Sequence, residues 1–345
     1  MRFQVVSSRG SGLGLASHLS SEGHAVILTL ASSHELGSGV VDKSNEDSNA
    51  DILVYDTDYY GAQADKVRQS GKRVLGASMW SKTIEENRDY ATSIVKSLGW
   101  PTSGVDKGVN LYVTGWFNGD KYISTYTSLL YRRLMSSGNG PDVKCTGVIS
   151  NFWVSRDGKV SERILKPLAT VLRKANHRGP FHVHLLVNGD KFKVVEVSAS
   201  LSHPLSLLLF ENSKMSTSNL LLHLFDESSK PLVPIEQWGS GVLLTLPPFP
   251  YHLSSGSVEL RGVNPANLKH LWLVDVKRDS GKWFSAGMHG KIGYVTARGG
   301  NINEATRRVY RTISNLDIPD LQYRDDVGRN TYKLIATLRN TGWLR

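Results

Sequence analysis

A glycine-rich turn near the start of the chain is the first feature whose residues could do chemistry. It follows an apolar run over residues 3–7 and carries three alternating glycines, Gly10, Gly12 and Gly14, after the cation Arg9. The backbone N–H groups of such a turn, at the start of a helix, can hold a phosphate group. The spacing differs from the G-x-G-x-x-G of dinucleotide-binding proteins, and no acidic residue ends the second predicted strand. The turn predicts either a phosphate site or an ordinary tight turn of an α/β sheet.

Positive charge is the second chemical signal. Lysine and arginine number 41 against 31 aspartates and glutamates, which gives a formal net charge of +10. This excess favours phosphorylated small molecules, nucleotides or nucleic acid as partners. The basic residues occur in pairs such as Arg132 and Arg133, not in polybasic runs. Aromatic residues near that pair could stack on bases, although their spacing suits core packing equally well.

Histidine and cysteine patterns indicate less. His182 and His184 alternate along a predicted strand and therefore share a face, but the sequence dictates no third metal ligand, so packing is the alternative. The single cysteine, Cys145, excludes an intramolecular disulfide and is typical of a reducing compartment. We place it in a polar loop with no histidine to activate it. The G-x-S-x-G and Walker-type motifs are absent.

Alternating strands and helices over residues 2–100 must position these residues. Apolar runs predict strands at 3–7, 25–30, 51–55 and 73–75, with helices after the glycine-rich turn, at 62–70 and, as one long helix, at 81–98. This alternation predicts a parallel sheet whose ligand-binding residues lie beyond the carboxyl ends of the strands. Asp56 and residues 76–78 would join the glycine-rich turn at that edge. Residues 38–49, rich in serine, asparagine and aspartate, predict an exposed loop.

Patterns of period two follow residue 109. Two hairpins are predicted around Asn118-Gly119 and Asn188-Gly189, because Asn-Gly is a strong hairpin signal. A helix at 163–175, strands at 271–276 and 292–297 and a helix at 303–314 complete the pattern, and the apolar run 205–210 has the length of a core strand. We predict three units, at residues 1–102, 103–228 and 229–345.

Composition excludes several classes of protein. Apolar residues make up 40% and charged residues 21%, which is typical of a globular chain. No apolar run approaches the roughly 18 residues of a membrane span. The first residues do not have the basic-then-apolar pattern of a signal peptide. We therefore expect a cytoplasmic protein with no membrane partner.

Several short segments occur in an informative order. After the glycine-rich turn, they are residues 75–78, 84–91, 98–102, 131–134 with 138–141, 194–197, 247–251, and 303–305 with 323–328. This order resembles that of the phosphoribosylamine–glycine ligase family, ATP-grasp ligases of purine synthesis, over nearly the whole chain. The resemblance implies an α/β fold. A Rossmann-like N-terminal domain would be followed by a reduced ATP-grasp-like α+β domain and a small C-terminal α+β domain.

The resemblance also implies a site. Residues 131–134 and 138–141 resemble the family's stretch beside the substrate, and residues 323–328 resemble its terminal Y-R-x-D-I-G motif. Together with the turn, the predicted phosphate- or substrate-binding residues are Arg9, Gly10, Gly12, Gly14, Asp56, Arg132, Arg133, Asn139, Gly140 and Arg324. Glu196 matches the glutamate that binds the magnesium of ATP, so the implied cofactors are ATP and Mg²⁺.

Departures from the family pattern bear on the chemistry. Family members carry a lid segment, with a lysine that holds nucleotide phosphates, where Thr102 here leads almost directly to residues 110–114. After Glu196, the family's E-x-N/T-x-R-F-G becomes Glu196-Val197-Ser198-Ala199-Ser200-Leu201-Ser202, so a second metal ligand and an arginine are replaced. Acyl-phosphate formation needs metal ions and fixed cations in an enclosed site. These losses argue against conventional ATP-dependent C–N ligation.

Three functions remain open. The first is a compact, divergent, lid-less ligase homologue that binds a phosphorylated ribosyl or nucleotide-type ligand, with a transferase acting on a pre-activated phosphorylated nucleotide or DNA base as its catalytic variant. The second is a non-catalytic pseudoenzyme that binds nucleic acid or a protein partner. The third is an intact ligase that takes its lid from a partner chain. The compactness resembles that of versions carried by bacteriophages.

Overall fold

The chain begins with a parallel sheet. The structure is a computed structural model that describes residues 1–31, 35–45, 49–154, 157–201, 204–251 and 256–344. The five strands are β1 (Arg2–Ser7), β2 (Ala25–Leu30), β3 (Asp42–Lys43), β4 (Ile52–Tyr55) and β5 (Arg73–Gly76), in the order β3-β2-β1-β4-β5. All neighbours pair in parallel, and helices α1 (Leu13–Ser21) and α2 (Gly61–Gln69) connect them. The Rossmann-like start is confirmed, whereas β3 lies inside the segment predicted as a loop, of which residues 46–48 fall outside the described ranges.

The predicted long helix at 81–98 is wrong, because two helices occupy that segment. They are α3 (Met79–Glu86) and α4 (Arg88–Ser97). Between them Asn87 is extended, with φ −115° and ψ 100°, and its side-chain oxygen accepts a hydrogen bond from the Tyr90 N–H at 2.9 Å. An asparagine that caps a new helix offers the backbone an alternative to continuing the old one. The break determines how α3 faces the rest of the molecule.

A large antiparallel sheet forms the body of the protein. It contains β6 (Val109–Asn118), β7 (Tyr122–Arg133), β8 (Asp142–Asn151), β9 (Arg178–Asn188), β10 (Lys191–Ser198), β11 (Trp238–Thr245), β12 (Leu271–Leu273) and β15 (Lys291–Gly299). Their order is β10-β9-β6-β7-β8-β11-β15-β12. The small hairpin of β13 (Val276–Asp279) and β14 (Lys282–Ser285) is separate. Both Asn-Gly hairpins form, as β6–β7 and β9–β10, and the sheet continues across the boundary predicted at residue 228.

The remaining helices are α5 (Lys166–Lys174), α6 (Pro204–Glu211), α7 (Thr217–His223), α8 (Pro265–Leu268), α9 (Ile302–Ser314) and α10 (Thr331–Asn340). The apolar run 205–210, whose length suited a core strand, is therefore part of helix α6. A short, uniformly apolar run has no period that separates strand from helix. Cys145 also differs from its prediction, since it lies buried in strand β8 and not in a loop.

One hydrophobic core joins the two sheets. It runs from Phe3 and Leu13 through Trp116 and Val183 to Trp272, while a second, smaller cluster packs on the outer face of the parallel sheet. Helix α1 packs against β12, so the carboxyl edge of the parallel sheet faces the body of the protein. Along the described ranges, no helix has both the length and the apolar character needed to cross a bilayer.

Candidate functional site

Many polar side chains converge on a cavity of about 280 Å³ between the two sheets. We call it the central cavity. Its wall combines the carboxyl edge of the parallel sheet, the strands β7 to β10 and the strands β12 and β15. The charged, aromatic and histidine side chains in the wall are those of Asp56, Glu85, Tyr112, Arg132, Lys144, His182, His184, Glu196, Phe210, Trp272, Lys291 and Tyr294.

Three basic side chains, those of Arg132, Lys144 and Lys291, form the cationic group of the cavity. Arg132 donates from Nε to Asp142 Oδ2 at 2.9 Å and from Nη1 to the Tyr112 hydroxyl at 3.3 Å, which fixes its guanidinium. Burial lowers the pKa of Lys291, the thiol of Cys145 raises it, and the nearby cations Arg9 and Lys144 lower it further. Cations that repel one another in a partly enclosed site favour an anionic ligand.

Three carboxylates, those of Asp56, Glu85 and Glu196, form the carboxylate group of the same cavity. Glu85 is solvent-accessible, and its Oε1 accepts hydrogen bonds from Ser198 Oγ at 2.5 Å and from the Ala199 N–H at 2.9 Å. Although the residue as a whole is exposed, its carboxylate is partly desolvated where it bonds Ser198 and Ala199. This desolvation raises the pKa of Glu85 in spite of these bonds, and the charge of Glu196 raises it further. Glu196 lies on β10 and Glu85 on α3, whereas the cations come from β7, β8 and β15. The charge of Lys144 acts on Glu85 in the opposite direction and lowers its pKa.

Asp56 is the most enclosed member of the carboxylate group. It is 2% exposed, its Oδ2 accepts a hydrogen bond from Ser7 Oγ, and among the described residues its Oδ1 has no partner. Burial raises its pKa to about 7, although the hydrogen bond from Ser7 acts in the opposite direction. Near neutral pH this carboxyl group therefore exists in both its protonated and its ionised form. It is suited to exchange a proton with a bound ligand.

Two histidines of β9 line the floor of the cavity. His182 lies 3.0 Å from Thr114 Oγ1 through Nδ1, and His184 lies 2.8 Å from Asn110 Oδ1 through Nε2. The His184 ring stacks on Tyr112 at 4.1 Å, and its buried Nδ1 has no hydrogen-bond partner among the described residues. Burial lowers the pKa of His184 to about 4, and Arg132 lowers it as well. The ring is neutral at pH 7 and has one nitrogen left for a ligand.

Four of the predicted site residues meet in the central cavity, namely Gly12, Asp56, Arg132 and Glu196. Arg9 is exposed nearby, with its carbonyl oxygen 3.0 Å from His289 Nε2. Gly10, at φ +82°, donates its N–H to Ser7 Oγ at 2.9 Å, which shapes the turn.

Gly14 serves packing in this geometry. A Cβ atom at this position would approach Trp272 Cα to 2.8 Å.

The other predicted residues lie elsewhere. Arg133 is the last residue of β7, whereas Asn139 and Gly140 lie in the turn between β7 and β8. Arg133 Nη1 donates to the Gly140 carbonyl at 2.9 Å, and Asn139 Nδ2 donates to the Ser136 carbonyl at 3.2 Å. None of these three residues lines the central cavity. Arg133 follows Arg132 directly in the sequence, but a strand directs successive side chains to opposite faces.

Arg324 is 4% exposed and fully engaged within the fold. It donates to Asp326 from Nε at 2.9 Å and from Nη2 at 2.8 Å, and to the Arg133 carbonyl from Nη1 at 2.9 Å. Its guanidinium also lies 4.8 Å from the ring centroid of Tyr131. These contacts give Arg324 a structural role, and its position offers no support for the expected anion contact.

The implied magnesium ion would need further ligands beside Glu196. Across the described ranges of the chain, no three histidine, cysteine, aspartate or glutamate side chains converge to hold a metal ion. Ser198 and Ser200 follow Glu196 in the cavity wall, and hydroxyls are weak replacements for a carboxylate ligand. Ser202, the last residue of that motif, lies outside the described residues. Magnesium binding by Glu196 stays a prediction.

Sequence patterns alone did not identify several residues of the cavity. Glu85, Lys144 and Lys291 come from α3, β8 and β15, and the side chains that surround each of them belong to distant parts of the chain. Glu85 lies in a segment that matched the family pattern, so that match was a usable signal. Lys291 precedes a predicted strand, a position that by itself indicates only a solvated strand end.

Comparison with known proteins supports the resemblance. No model of a known protein family matches the chain. The phosphoribosylamine–glycine ligase of Listeria monocytogenes is 24% identical over 233 residues, which are 64% of this chain and 54% of the relative. That of Clostridium acetobutylicum is 23% identical over 234 residues, which are 65% and 55%. The chain spans about half the length of the curated relatives it matches.

Solved structures show the fold. A phosphoribosylamine–glycine ligase from Thermotoga maritima superposes with a TM-score of 0.74 at 14% identity, covering 95% of this chain and 100% of that one. N5-carboxyaminoimidazole ribonucleotide synthetase from the same organism gives 0.56 at 13%, covering 92% and 99%. The biotin carboxylase domain of a single-chain bacterial carboxylase gives 0.61 at 10%, covering 99% and 100%. The expected ATP-grasp-like α/β fold is confirmed.

Proposed function

We propose that the chain binds a phosphorylated ribosyl or nucleotide-type ligand in the central cavity. The observation that carries this proposal is that the cationic group and the carboxylate group, which come from different elements of the fold, line one cavity wall. Arg132, Lys144 and Lys291 would hold the phosphate through charge-assisted hydrogen bonds. Ribosyl hydroxyls or an amine would donate to Glu85 and Glu196. The names of the similar proteins, which are ligases and synthetases of ribosylated compounds, agree with this ligand class.

The carboxyl group of Asp56 and the ring of His184 extend the proposal toward chemistry. A carboxyl group whose pKa is about 7 can take a proton from an amine near neutral pH and return it. Neutral His184 would accept a hydrogen bond at Nδ1 once its Nε2 donates to Asn110 Oδ1. These two groups suit an amine or acyl transfer on the bound ligand. ATP is not required for this role of either residue.

The connection between the first unit and the large sheet supports binding without conventional ligation. Residues 102–108 lead directly from the end of the first unit to β6. The proposal therefore retains the lid-less interpretation, in which the ligand arrives already phosphorylated. The alternative is that a partner chain supplies the lid, and the following experiment distinguishes the two interpretations.

Calorimetric titration of the full chain with ribose 5-phosphate, AMP and MgATP tests the proposal. We expect saturable binding of ribose 5-phosphate or AMP in the absence of ATP. Arg132→Ala should weaken it by about 1–3 kcal/mol, the contribution of a charge-assisted hydrogen bond. Arg133→Ala is the matched control, because this neighbouring arginine does not line the cavity and should leave the affinity unchanged.

Two other outcomes would change the conclusion. Micromolar binding of MgATP, with ADP release that depends on glycine and phosphoribosylamine, would establish an intact ligase. No binding of any of the three compounds, or equal losses in both variants, would remove the central cavity as a phosphate site.

A further inference from the structure

A second cavity, of about 500 Å³, lies on another side of the first unit. It opens where α2 and β5 meet the start of β9, and it shares no lining residue with the central cavity. We call it the junction pocket and define it by Arg68, Lys72, Arg73, Trp80, Arg178 and Phe225. The pocket is built from elements of both sheets, so a ligand there would contact two parts of the fold.

Two half-buried cations of the junction pocket, Arg68 and Arg178, are held in place by backbone carbonyls and carboxylates. Arg68 Nη2 donates to the Ala77 carbonyl at 2.9 Å and its Nη1 to Asp65. Arg178 Nη1 donates to the Leu224 carbonyl at 3.1 Å and its Nη2 to Glu227 at 2.5 Å. Guanidinium groups fixed in this way lose little freedom when they bind a further anion.

Charge in the pocket wall is unbalanced. Four basic side chains line it against one carboxylate, Asp65, among the described residues, and Glu227, which is not part of the lining, pairs with Arg178. Asp65 already accepts from Arg68 and from the Met79 N–H at 2.8 Å. Burial lowers the pKa of Arg68, Asp65 raises it, and the Arg178 guanidinium lowers it further. The two arginines are therefore close enough to repel one another, and a bound anion would offset that repulsion.

Arg73 adds a cation at the mouth of the pocket. Its side chain is exposed, and its guanidinium carbon lies 6.0 Å from the ring centroid of Phe225. Within the part of the chain that the structure describes, no carboxylate forms an ion pair with it. An arginine stacked on an aromatic ring still has its N–H groups free to bind phosphate.

Aromatic surface lies beside these cations. Trp80 is partly exposed, and its ring is held 5.6 Å from His177 and 5.9 Å from Phe181. Burial lowers the pKa of His177 to about 4, so this ring is a neutral support. Fixed aromatic rings next to arginines are the combination that stacks a nucleobase and binds its phosphate. The volume of the pocket lies within the range of small-molecule sites.

We propose that the junction pocket binds a nucleoside phosphate, with the phosphate at Arg68, Arg73 and Arg178 and the base against Trp80. This site is separate from the central cavity and goes beyond the function proposed for it. The same phosphate chemistry could be presented by a nucleic-acid strand. The volume of about 500 Å³ favours the free nucleotide, because it matches the size of small-molecule sites.

Titration of the full chain with AMP, inorganic pyrophosphate and a ten-residue oligo(dT) tests the assignment. Calorimetry gives the stoichiometry, and tryptophan fluorescence, with Trp80→Phe as reference, locates the signal. We expect Arg73→Ala to weaken AMP binding at this site about tenfold, as the loss of one charged contact should. Arg73→Lys should restore part of the affinity. Lys66→Ala is the matched control, since Lys66 is exposed on α2 but does not line the pocket.

Repeating the AMP titrations in the Arg132→Ala variant distinguishes binding at the junction pocket from binding in the central cavity. AMP binding that survives Arg132→Ala and is weakened about tenfold by Arg73→Ala supports the junction pocket, even if the central cavity binds nothing. AMP binding that is lost in Arg132→Ala and unchanged in Arg73→Ala overturns the junction pocket and leaves the central proposal intact. Binding of oligo(dT) alone, with AMP and pyrophosphate inactive, overturns the free nucleotide as ligand. Equal effects of Arg73→Ala and Lys66→Ala also overturn the assignment.

Discussion

At the scale of single residues, burial and existing partners determine what a charged side chain can do. Arg132 and Arg324 are both arginines in segments that resemble one family's motifs. Arg132 reaches the central cavity with part of its guanidinium exposed, whereas Arg324 is enclosed by Asp326, the Arg133 carbonyl and Tyr131. An arginine as deeply buried as Arg324, with its guanidinium bonded inside the fold, contributes to folding and not to ligand binding.

Arg324→Ala should therefore lower the stability of the fold and leave the affinity for ribose 5-phosphate unchanged. It leaves Asp326 buried without its partner, and the loss of one partner of a buried pair costs about 3–5 kcal/mol. Urea unfolding measures the change, with Arg329→Ala, an exposed arginine of the same segment, as control. A stable variant with weakened ribose 5-phosphate binding would return Arg324 to the ligand site.

Asp56 makes the stability of the fold depend on pH. Its folded pKa of about 7 lies above the ordinary value of 3.8 because of burial. Between these values the folded state keeps a proton that the unfolded state has lost, so the contribution of Asp56 to the free energy of unfolding decreases as pH rises through this window. Asp56→Asn cannot ionise and removes this decrease.

We expect Asp56→Asn to be more stable relative to wild type at about pH 8 than at about pH 5, by at most about 3 kcal/mol. Denaturant unfolding at the two pH values gives this difference directly. Asp106→Asn is the control, because that side chain is 97% exposed. A difference that does not change with pH, or that changes with the opposite sign, would contradict the raised pKa of Asp56.

At the scale of elements, close packing between helix α1 and strand β12 positions the glycine-rich turn. Gly14 is the second residue of α1 and lies where the helix backbone meets the backbone of β12. A Cβ atom added at Gly14 would lie 2.8 Å from Trp272 Cα. The ring of Trp272 stacks on His18 of the same helix at 4.1 Å. The glycine pattern that indicated a phosphate turn therefore also serves helix–strand contact.

Gly14→Ala should destabilise the protein by about 1–3 kcal/mol, since an inserted methyl group forces a shift of a packed backbone. It should also weaken ligand binding in the central cavity, because Gly12 and Trp272 line that cavity on either side of the contact. Thermal unfolding and the titration with ribose 5-phosphate measure the two effects. Ser20→Ala, at an exposed position of α1, should change neither. A Gly14→Ala variant as stable as wild type would show that the contact can relax without cost.

At the scale of the whole molecule, the predicted units are joined by more than a linker. Residues of the first sheet, the large sheet and β12 share one core. The carboxylate of Glu22, after α1, accepts hydrogen bonds from the N–H groups of Thr217 at 2.6 Å and Ser218 at 2.9 Å, at the start of α7. The Gly37 N–H donates to the Val276 carbonyl at 2.8 Å. These contacts couple distant parts of the chain.

The chain should therefore unfold in one cooperative transition. Calorimetric and van't Hoff enthalpies are expected to agree, which is the test of two-state behaviour. Glu22→Gln should lower the midpoint of that transition without splitting it, because it weakens one interface of a continuous core. Glu35→Gln, which changes an exposed ion pair with Lys277, serves as control and should have a small effect. Two resolved transitions would mean that the first unit is an independent domain.

Sequence by itself determined the local elements of this protein. Strands β1, β2, β4 and β5, the hairpins at Asn118-Gly119 and Asn188-Gly189 and the placement of Gly12 beside Asp56 follow from apolar periodicity, turn chemistry and the geometry of parallel sheets. These signals depend on neighbours a few residues apart. The order of matching segments added the fold class.

Only the tertiary structure decided which charged residues act together. Glu85, Lys144 and Lys291 meet because α3, β8 and β15 are brought together by packing, and the same packing encloses Arg324 away from the cavity. The junction pocket likewise joins Arg73 to Arg178 across two sheets. The type of a residue determines the charge it can carry, but its partners, its burial and its pKa depend on atoms that are distant along the chain.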